Sequence, residues 1–182
     1  MNRRLVLGAL ISLPVFPALA GLEVGAKAPD FTLRAARAGK LFDFSLREAL
    51  VEGPVVLYFF PAAFSDGCSI EAHTFAEAID NFRAAGSTVV GVSSDDLPTL
   101  AKFSKHACQG KFPVASDADQ SVMKSYDAVM QTRPEYATRV SFVIAQDGRI
   151  AYTYKNLEPT RHVERALEAV RQLAKDATRK SG

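Results

Sequence analysis

Cys68 and Cys108 are the only thiols in this chain, and their surroundings differ. Cys68 ends the stretch Pro61-Ala-Ala-Phe-Ser65-Asp-Gly-Cys68 and is followed by Ser-Ile-Glu71-Ala-His73. Apolar residues at Ile70, Phe75, Ile79 and Phe82 fit one face of an amphipathic helix, which puts Cys68 in its first turn. The first turn carries unpaired backbone N–H groups and the positive end of the helix dipole. Both favour a thiolate, the nucleophilic form of cysteine. A buried structural cysteine is the competing reading. Around it, Ser65 is a helix N-cap by position, Pro61 terminates the preceding strand, and Glu71 suits a first turn through the dipole alone. Arg139, taken by itself, is a surface arginine at the start of a strand.

His73, His106 and His162 are scattered, with no spacing typical of a metal-ligand set, and read as solvent-facing or core-satisfied. Neither cysteine belongs to a Cys-x-x-Cys pair. Whether Cys68 and Cys108 form a static brace or a catalytic pair stays open at this level.

The elements that must position Cys68 begin with Val55-Val-Leu-Tyr-Phe-Phe60, an apolar run between Gly53-Pro54 and Pro61 that predicts a buried strand. Ser87 to Val92 predicts a second core strand, and Ser93-Ser-Asp-Asp96 supplies N-cap candidates for a helix through Leu100 and Phe103 that ends near Gly110. A shorter helix is expected from Asp119 to about Val129. Val140 to Ala145 and Arg149 to Tyr154 flank Gln-Asp-Gly, a hairpin signal. Glu158-Pro159-Thr160 opens a last helix with Val163, Leu167, Val170 and Leu173 on its apolar side, and the tail from Thr178 is expected to be disordered. Helices interleaved with buried strands argue for an α/β layered domain, and pattern alone goes no further.

With 182 residues, 48% of them hydrophobic and 23% charged, the chain reads as one soluble globular domain. Its formal charge of +2 falls to zero without Arg3 and Arg4, so no basic patch argues for nucleic acid. Met1-Asn-Arg-Arg4, the apolar run Leu5 to Leu13, and Ala18-Leu-Ala20 have the layout of a secretory signal. Residues 1–20 are therefore expected to be a cleaved signal peptide and residues 21–182 the mature domain. Pro14 and Pro17 interrupt a stretch already shorter than the roughly 20 residues of a spanning helix. A periplasmic or secreted protein without stable membrane association is the expectation.

Pro61-x-x-x-Ser65-x-x-Cys68 resembles the active-site loop of the peroxiredoxins, and Gly67-Cys68-Ser-Ile-Glu71-Ala72 is similar to their bacterioferritin-comigratory-protein, or Q-type, branch. Val24 to Leu33 is similar to the family's opening strand segment, Phe112 to Asp117 to a later loop, and Arg139 to Ile144 to its arginine-bearing strand. Four motifs in order, over roughly residues 22 to 172, make the signal strong. The resemblance implies a thioredoxin-like fold, with a mixed central sheet flanked by helices. It implies a thiol-dependent peroxidase that reduces hydrogen peroxide and small organic hydroperoxides through a cysteine sulfenic acid. Cys68 is then the nucleophile, Ser65 offers its hydroxyl to the peroxide, Arg139 projects its guanidinium toward Cys68, Pro61 shields the sulfur, and Glu71 orients the site. No cofactor or metal is implied. A thiol reductant, either a thioredoxin-like protein or a small thiol, is. The working unit is expected to be a monomer or homodimer.

The chain departs from the family pattern in three places. Serine replaces the usual threonine at position 65, and Asp66 stands where proline is frequent. His73 occupies a position where many branch members carry a resolving cysteine. Cys108 is the remaining candidate for that role, and a one-cysteine enzyme is the alternative. Two other readings compete: an exported thiol-disulfide oxidoreductase, and a non-enzymatic redox sensor or copper-binding protein of the same fold.

Overall fold

In the computed structural model, which describes residues 22–181, seven strands form one mixed sheet. In chain order the elements are β1 (Thr32–Arg37), β2 (Lys40–Ser45), α1 (Leu46–Glu52), β3 (Val55–Phe59), α2 (Asp66–Ala84), β4 (Thr88–Ser93), α3 (Leu97–His106), β5 (Val114–Ser116), α4 (Ser121–Ser125), β6 (Val140–Ile144), β7 (Ile150–Lys155) and α5 (Pro159–Ser181). The strands lie in the order β2-β1-β5-β4-β3-β6-β7. β3, β4 and β5 run parallel, joined through α2 and α3, while β6 returns antiparallel to β3 and β7 to β6.

β3 is buried along its whole length because it is central and covered on both faces, as its unbroken apolar run requires. Val55, Leu57 and Phe59 point into a core with Phe31, Phe44, Met123, Tyr126 and Phe142. Val56, Tyr58 and Phe60 point the other way, into a core with α2, α3 and α5. That second core contains both Cys68 and Cys108. Tyr58 lies across Gly91 of β4, where a Cβ would stand 2.6 Å from its ring, and it stacks on Phe75 at 4.6 Å. Gly91 is therefore a packing requirement.

Several boundaries differ from the sequence expectations for local reasons. The helix expected over 119–129 shrinks to Ser121–Ser125, because Gln120 (φ 64°) and Asp127 (φ 50°) are left-handed and cannot extend it. α3 stops at His106, and Gln109 and Gly110 are both left-handed in the turn after Cys108. Between Val24 and Leu33 the strand begins only at Thr32. The earlier part is held by single bonds, such as Gly25 N–H to Ile150 O (2.7 Å). Residues Phe112 to Asp117 include the short strand β5, and Asp117 accepts from the N–H groups of Val122 (3.1 Å) and Met123 (2.7 Å) at the start of α4. The tail is not disordered from Thr178: α5 continues to Ser181. The expected signal peptide lies outside the described residues.

Candidate active site

The strand-loop-helix unit around Cys68 is built at the exit of β3. Phe60 ends the buried run, Pro61 cannot donate a further ladder bond, and the chain turns away. Two anchors fix the turn. Asp95, just after β4, accepts the Ala63 N–H at 2.7 Å and the Ser93 hydroxyl at 2.8 Å through the same oxygen. Phe64, left-handed at φ 64°, sets its ring edge-on against Phe103 of α3. α2 then starts at Asp66, with Cys68 as its third residue.

Ser65 is the N-cap residue of α2, but its side chain does not cap the helix. Its hydroxyl donates to the Ala62 carbonyl at 3.0 Å instead, on an exposed part of the loop. The first-turn amides are thus not sealed by that hydroxyl. Pro61 is half-buried, and Asp66 is exposed at the first helical position. Cys68 itself is buried, on the α2 stripe formed by Cys68, Glu71, Ala72, Phe75, Ala76, Ile79 and Phe82.

Arg139 reaches this sulfur from the neighbouring strand. The register pairs Phe59 of β3 with Val140 of β6, so Arg139 stands beside the strand end where the loop departs. Its Nη2 donates to Cys68 Sγ at 3.4 Å, and its Nη1 donates to Glu71 Oε2. The guanidinium is nearly buried at 7% exposure, so its charge is poorly screened by solvent. Gly67 makes this approach possible: a Cβ there would stand 3.0 Å from Arg139 Nη2.

Glu71 is fully buried one turn beyond Cys68, and burial pushes its carboxyl up to about 8 despite the opposing pull of Arg139. Beyond it sits His162 of α5, also fully buried, with Nδ1 2.8 Å from the Ser141 hydroxyl and Nε2 3.0 Å from the Asn156 carbonyl oxygen. Burial holds His162 below its usual range. The sequence had offered His162 only as a scattered histidine; it is core-satisfied. His73 is exposed and faces Glu77.

Cys108 follows the end of α3, fully buried and free, as Cys68 is. Burial raises its thiol far above the usual range. The adjoining Gln109 contacts His73 Nδ1 through its amide nitrogen at 3.0 Å, so the Cys108 turn leans on the outer face of α2. The structure thus brings Cys68, Glu71 and Arg139 into contact, with Ser65 and Pro61 on the adjoining loop and Cys108 in the same core. Sequence reasoning missed Asp95, Gly67, Ser141 and the role of His162. Glu71 was named through the family resemblance, but its burial was not read from the sequence.

A cavity of about 960 Å³ lined by Lys27, Asp30, Leu46, Arg47 and Gln146 lies at the opposite end of β6 from Arg139 and contains no thiol. The contact between Cys68 and Arg139 thus lies away from this cavity.

That arrangement has parallels in known proteins. The chain is 32% identical over 152 residues to peroxiredoxin Q, chloroplastic, of Oryza sativa subsp. japonica, covering 82% of this chain and 67% of that one. The structure of peroxidoxin BcpB from Mycobacterium tuberculosis superposes with a TM-score of 0.74 at 27% identity, over 83% of this chain and 97% of that one. A reduced 2-Cys peroxiredoxin of Plasmodium vivax, at 22% identity and a TM-score of 0.76 over 85% and 98% of the two chains, shares the fold. The sheet and its flanking helices are thus the thioredoxin-like fold expected from the sequence. With the AhpC/TSA family model matching residues 24–153 as well, the chain belongs to the AhpC/TSA family, as a peroxiredoxin of the Q type.

Proposed function

We propose that this protein is a thiol-dependent peroxidase in which Cys68 attacks a hydroperoxide. The observation that carries the reading is the 3.4 Å contact from Arg139 Nη2 to Cys68 Sγ in a buried site at a helix start. A sulfur nucleophile needs a stabilised negative charge, and the departing oxygen needs a donor; a guanidinium at this distance serves both. The thiolate attacks one peroxide oxygen, the O–O bond breaks, and the sulfur becomes a sulfenic acid. The leaving alkoxide or hydroxide takes a proton and departs as alcohol or water. Ser65, whose hydroxyl donates to the Ala62 carbonyl rather than capping α2, turns toward the bound peroxide by giving up that exposed bond, and Pro61 flanks the loop.

Cys108 acts as the resolving thiol. It attacks the sulfenic sulfur, expels water and leaves a 68–108 disulfide, which an external thiol reductant returns to two thiols. Its presence in the same core as Cys68 supports this reading, as does the turn that follows it, with left-handed residues at Gln109 and Gly110. Cys108 is buried and its thiol strongly raised, so resolution requires this turn to open first.

The test is stopped-flow oxidation of the reduced protein by hydrogen peroxide, comparing wild type with Cys108→Ser and identifying products by mass spectrometry. Fast reaction in both, with a 68–108 disulfide only in wild type, is the expected result. Fast reaction that ends as sulfenic acid in both makes this a one-cysteine enzyme. Reaction no faster than that of a free thiol overturns the peroxidase reading. Export rests on residues 1–20 alone and is read from the N-terminus of the mature protein.

A further inference from the structure

Glu71 Oε1 is fully buried and has no hydrogen-bond partner among the described residues. Oε2 receives Arg139, while the polar atom facing Oε1 is His162 Nδ1 at 3.8 Å, beyond hydrogen-bond length. The tautomer of His162 follows from its other contact. The Asn156 carbonyl can only accept, so Nε2 carries the ring proton and Nδ1 of the neutral ring is an acceptor, receiving the Ser141 hydroxyl. An ionised Glu71 would therefore hold a carboxylate oxygen opposite a ring nitrogen that carries no proton, with no donor to that oxygen among the described residues. Burying a charge in that way is costly.

Charge within the site points the same way. The titratable and charged groups around Glu71 are Cys68 on its own helix, Arg139 ahead of β6, Tyr58 on β3 and His162 on α5. Glu158, exposed just ahead of α5, acts on Arg139 and His162 from farther out. With Cys68 as thiolate, Arg139 as cation and Glu71 uncharged, the buried groups sum to zero. With Glu71 ionised and His162 neutral they leave one uncompensated negative charge, and the guanidinium is shared between two anions.

We infer that Glu71 works as a neutral carboxylic acid, so that the whole charge of Arg139 is available to Cys68 and the peroxide. His162 and Ser141 are positioning residues: the contacts to the Ser141 hydroxyl and the Asn156 carbonyl use both ring nitrogens of a neutral imidazole, so no cation stands beside that acid. This rests on the peroxidase reading above. The upward displacement of Glu71 to about 8 agrees with it, as does the downward displacement of His162, because burial disfavours the charged form of each. The consequence runs against ordinary thiol behaviour: reaction with peroxide slows as pH rises and Glu71 ionises.

The experiment is single-turnover oxidation of reduced wild type and Glu71→Gln by hydrogen peroxide, read as the ratio of the rate at pH about 7 to that at about 9.5. Glutamine keeps the shape of the acid and cannot ionise. The wild-type ratio is expected to be about ten or more and that of Glu71→Gln near one, because each unit of pH beyond the transition lowers the protonated fraction by about tenfold. A wild-type rate that stays level or climbs, or an equal fall in both proteins, overturns the inference. Infrared difference spectra give a second readout: wild type should show a protonated carboxyl band at neutral pH that Glu71→Gln lacks and that fades through about pH 8. If the variant does not fold or react, that wild-type band decides alone, and its absence overturns the inference. A wild type no faster than a free thiol at neutral pH would instead sink the peroxidase reading, which separates the two failures.

Discussion

Gly67 and Arg139 are matched to each other: the missing side chain of the glycine leaves room for Nη2 of the guanidinium, which a Cβ would approach to 3.0 Å. Alanine at position 67 favours the helix by up to about 1 kcal/mol but pushes the cation by a few tenths of an ångström. Gly67→Ala is therefore expected to unfold no earlier than wild type while reacting with peroxide about tenfold more slowly, since small misplacements at a reacting centre are expensive. Urea melts paired with stopped-flow rates check this, and unchanged rates would show that the guanidinium has room to spare.

Removal of the guanidinium has a larger effect. Arg139→Ala is expected to lower the rate with hydrogen peroxide by about 10²–10³, the usual loss for one charge-stabilising donor, with an unchanged circular dichroism spectrum. Arg139→Lys does not restore it, because an ammonium is one point charge and cannot reach Cys68 Sγ and Glu71 Oε2 together. Full activity in the lysine variant would reduce the role of Arg139 to charge alone.

Glu71 also sets a stability profile. Its folded-state value is raised from 4.5 to about 8, so the folded protein holds a proton that the unfolded chain has released between those limits. Stability from this group is complete below about pH 4.5 and declines as pH rises toward about 8. His162, lowered by burial, acts in the other direction and loses stability as pH falls below its unfolded value near 6.5. Denaturation midpoints of Glu71→Gln measured across this range should be flatter than those of wild type above pH about 6.5, where the His162 contribution has levelled off and that of Glu71 is still changing. Parallel curves would remove Glu71 as the source.

At Gly91 the prediction concerns packing. A Cβ there meets the Tyr58 ring at 2.6 Å and its hydroxyl oxygen at 2.7 Å, with Phe75 stacked behind. Gly91→Ala is expected to cost about 1–3 kcal/mol, the range for overpacking a filled core. Tyr58→Phe should be neutral or stabilising, because the buried hydroxyl it deletes has no partner among the described residues. Chemical denaturation of both variants measures the two signs.

Much of the frame was readable from residue pattern. β3 stood out because a central strand covered on both faces must be apolar without alternation, and α2 because its buried positions repeat at helical spacing. β2 did not stand out, because four of its six residues are exposed and no period-2 signal survives. α1, at seven residues, and β5, at three, are too short to show a period. At the site, Cys68, Ser65 and Pro61 are local in sequence and were found together, while Arg139 needed the family resemblance. The Glu71–His162 face was invisible for a physical reason: it depends on how α5 packs over β6, which no local pattern records. Asp95 was hidden among the capping candidates Ser93 to Asp96, where Asp96 caps α3 and its neighbour turns back to the loop.

The pairing of β6 with β3 also fixes when the chemistry can begin. The cation that contacts Cys68 lies 71 residues further along the chain, and it arrives only with the antiparallel strand that docks beside β3. A growing chain therefore displays Cys68, and even a nascent α2, well before it owns an Arg139. On the mechanism proposed above, the thiol is a passive passenger throughout that interval and becomes a reagent for peroxide when the centre of the sheet closes. Peroxide reactivity of Cys68 is thus a chemical clock for folding: in refolding experiments its onset should follow the slow long-range strand pairing rather than the fast appearance of helix.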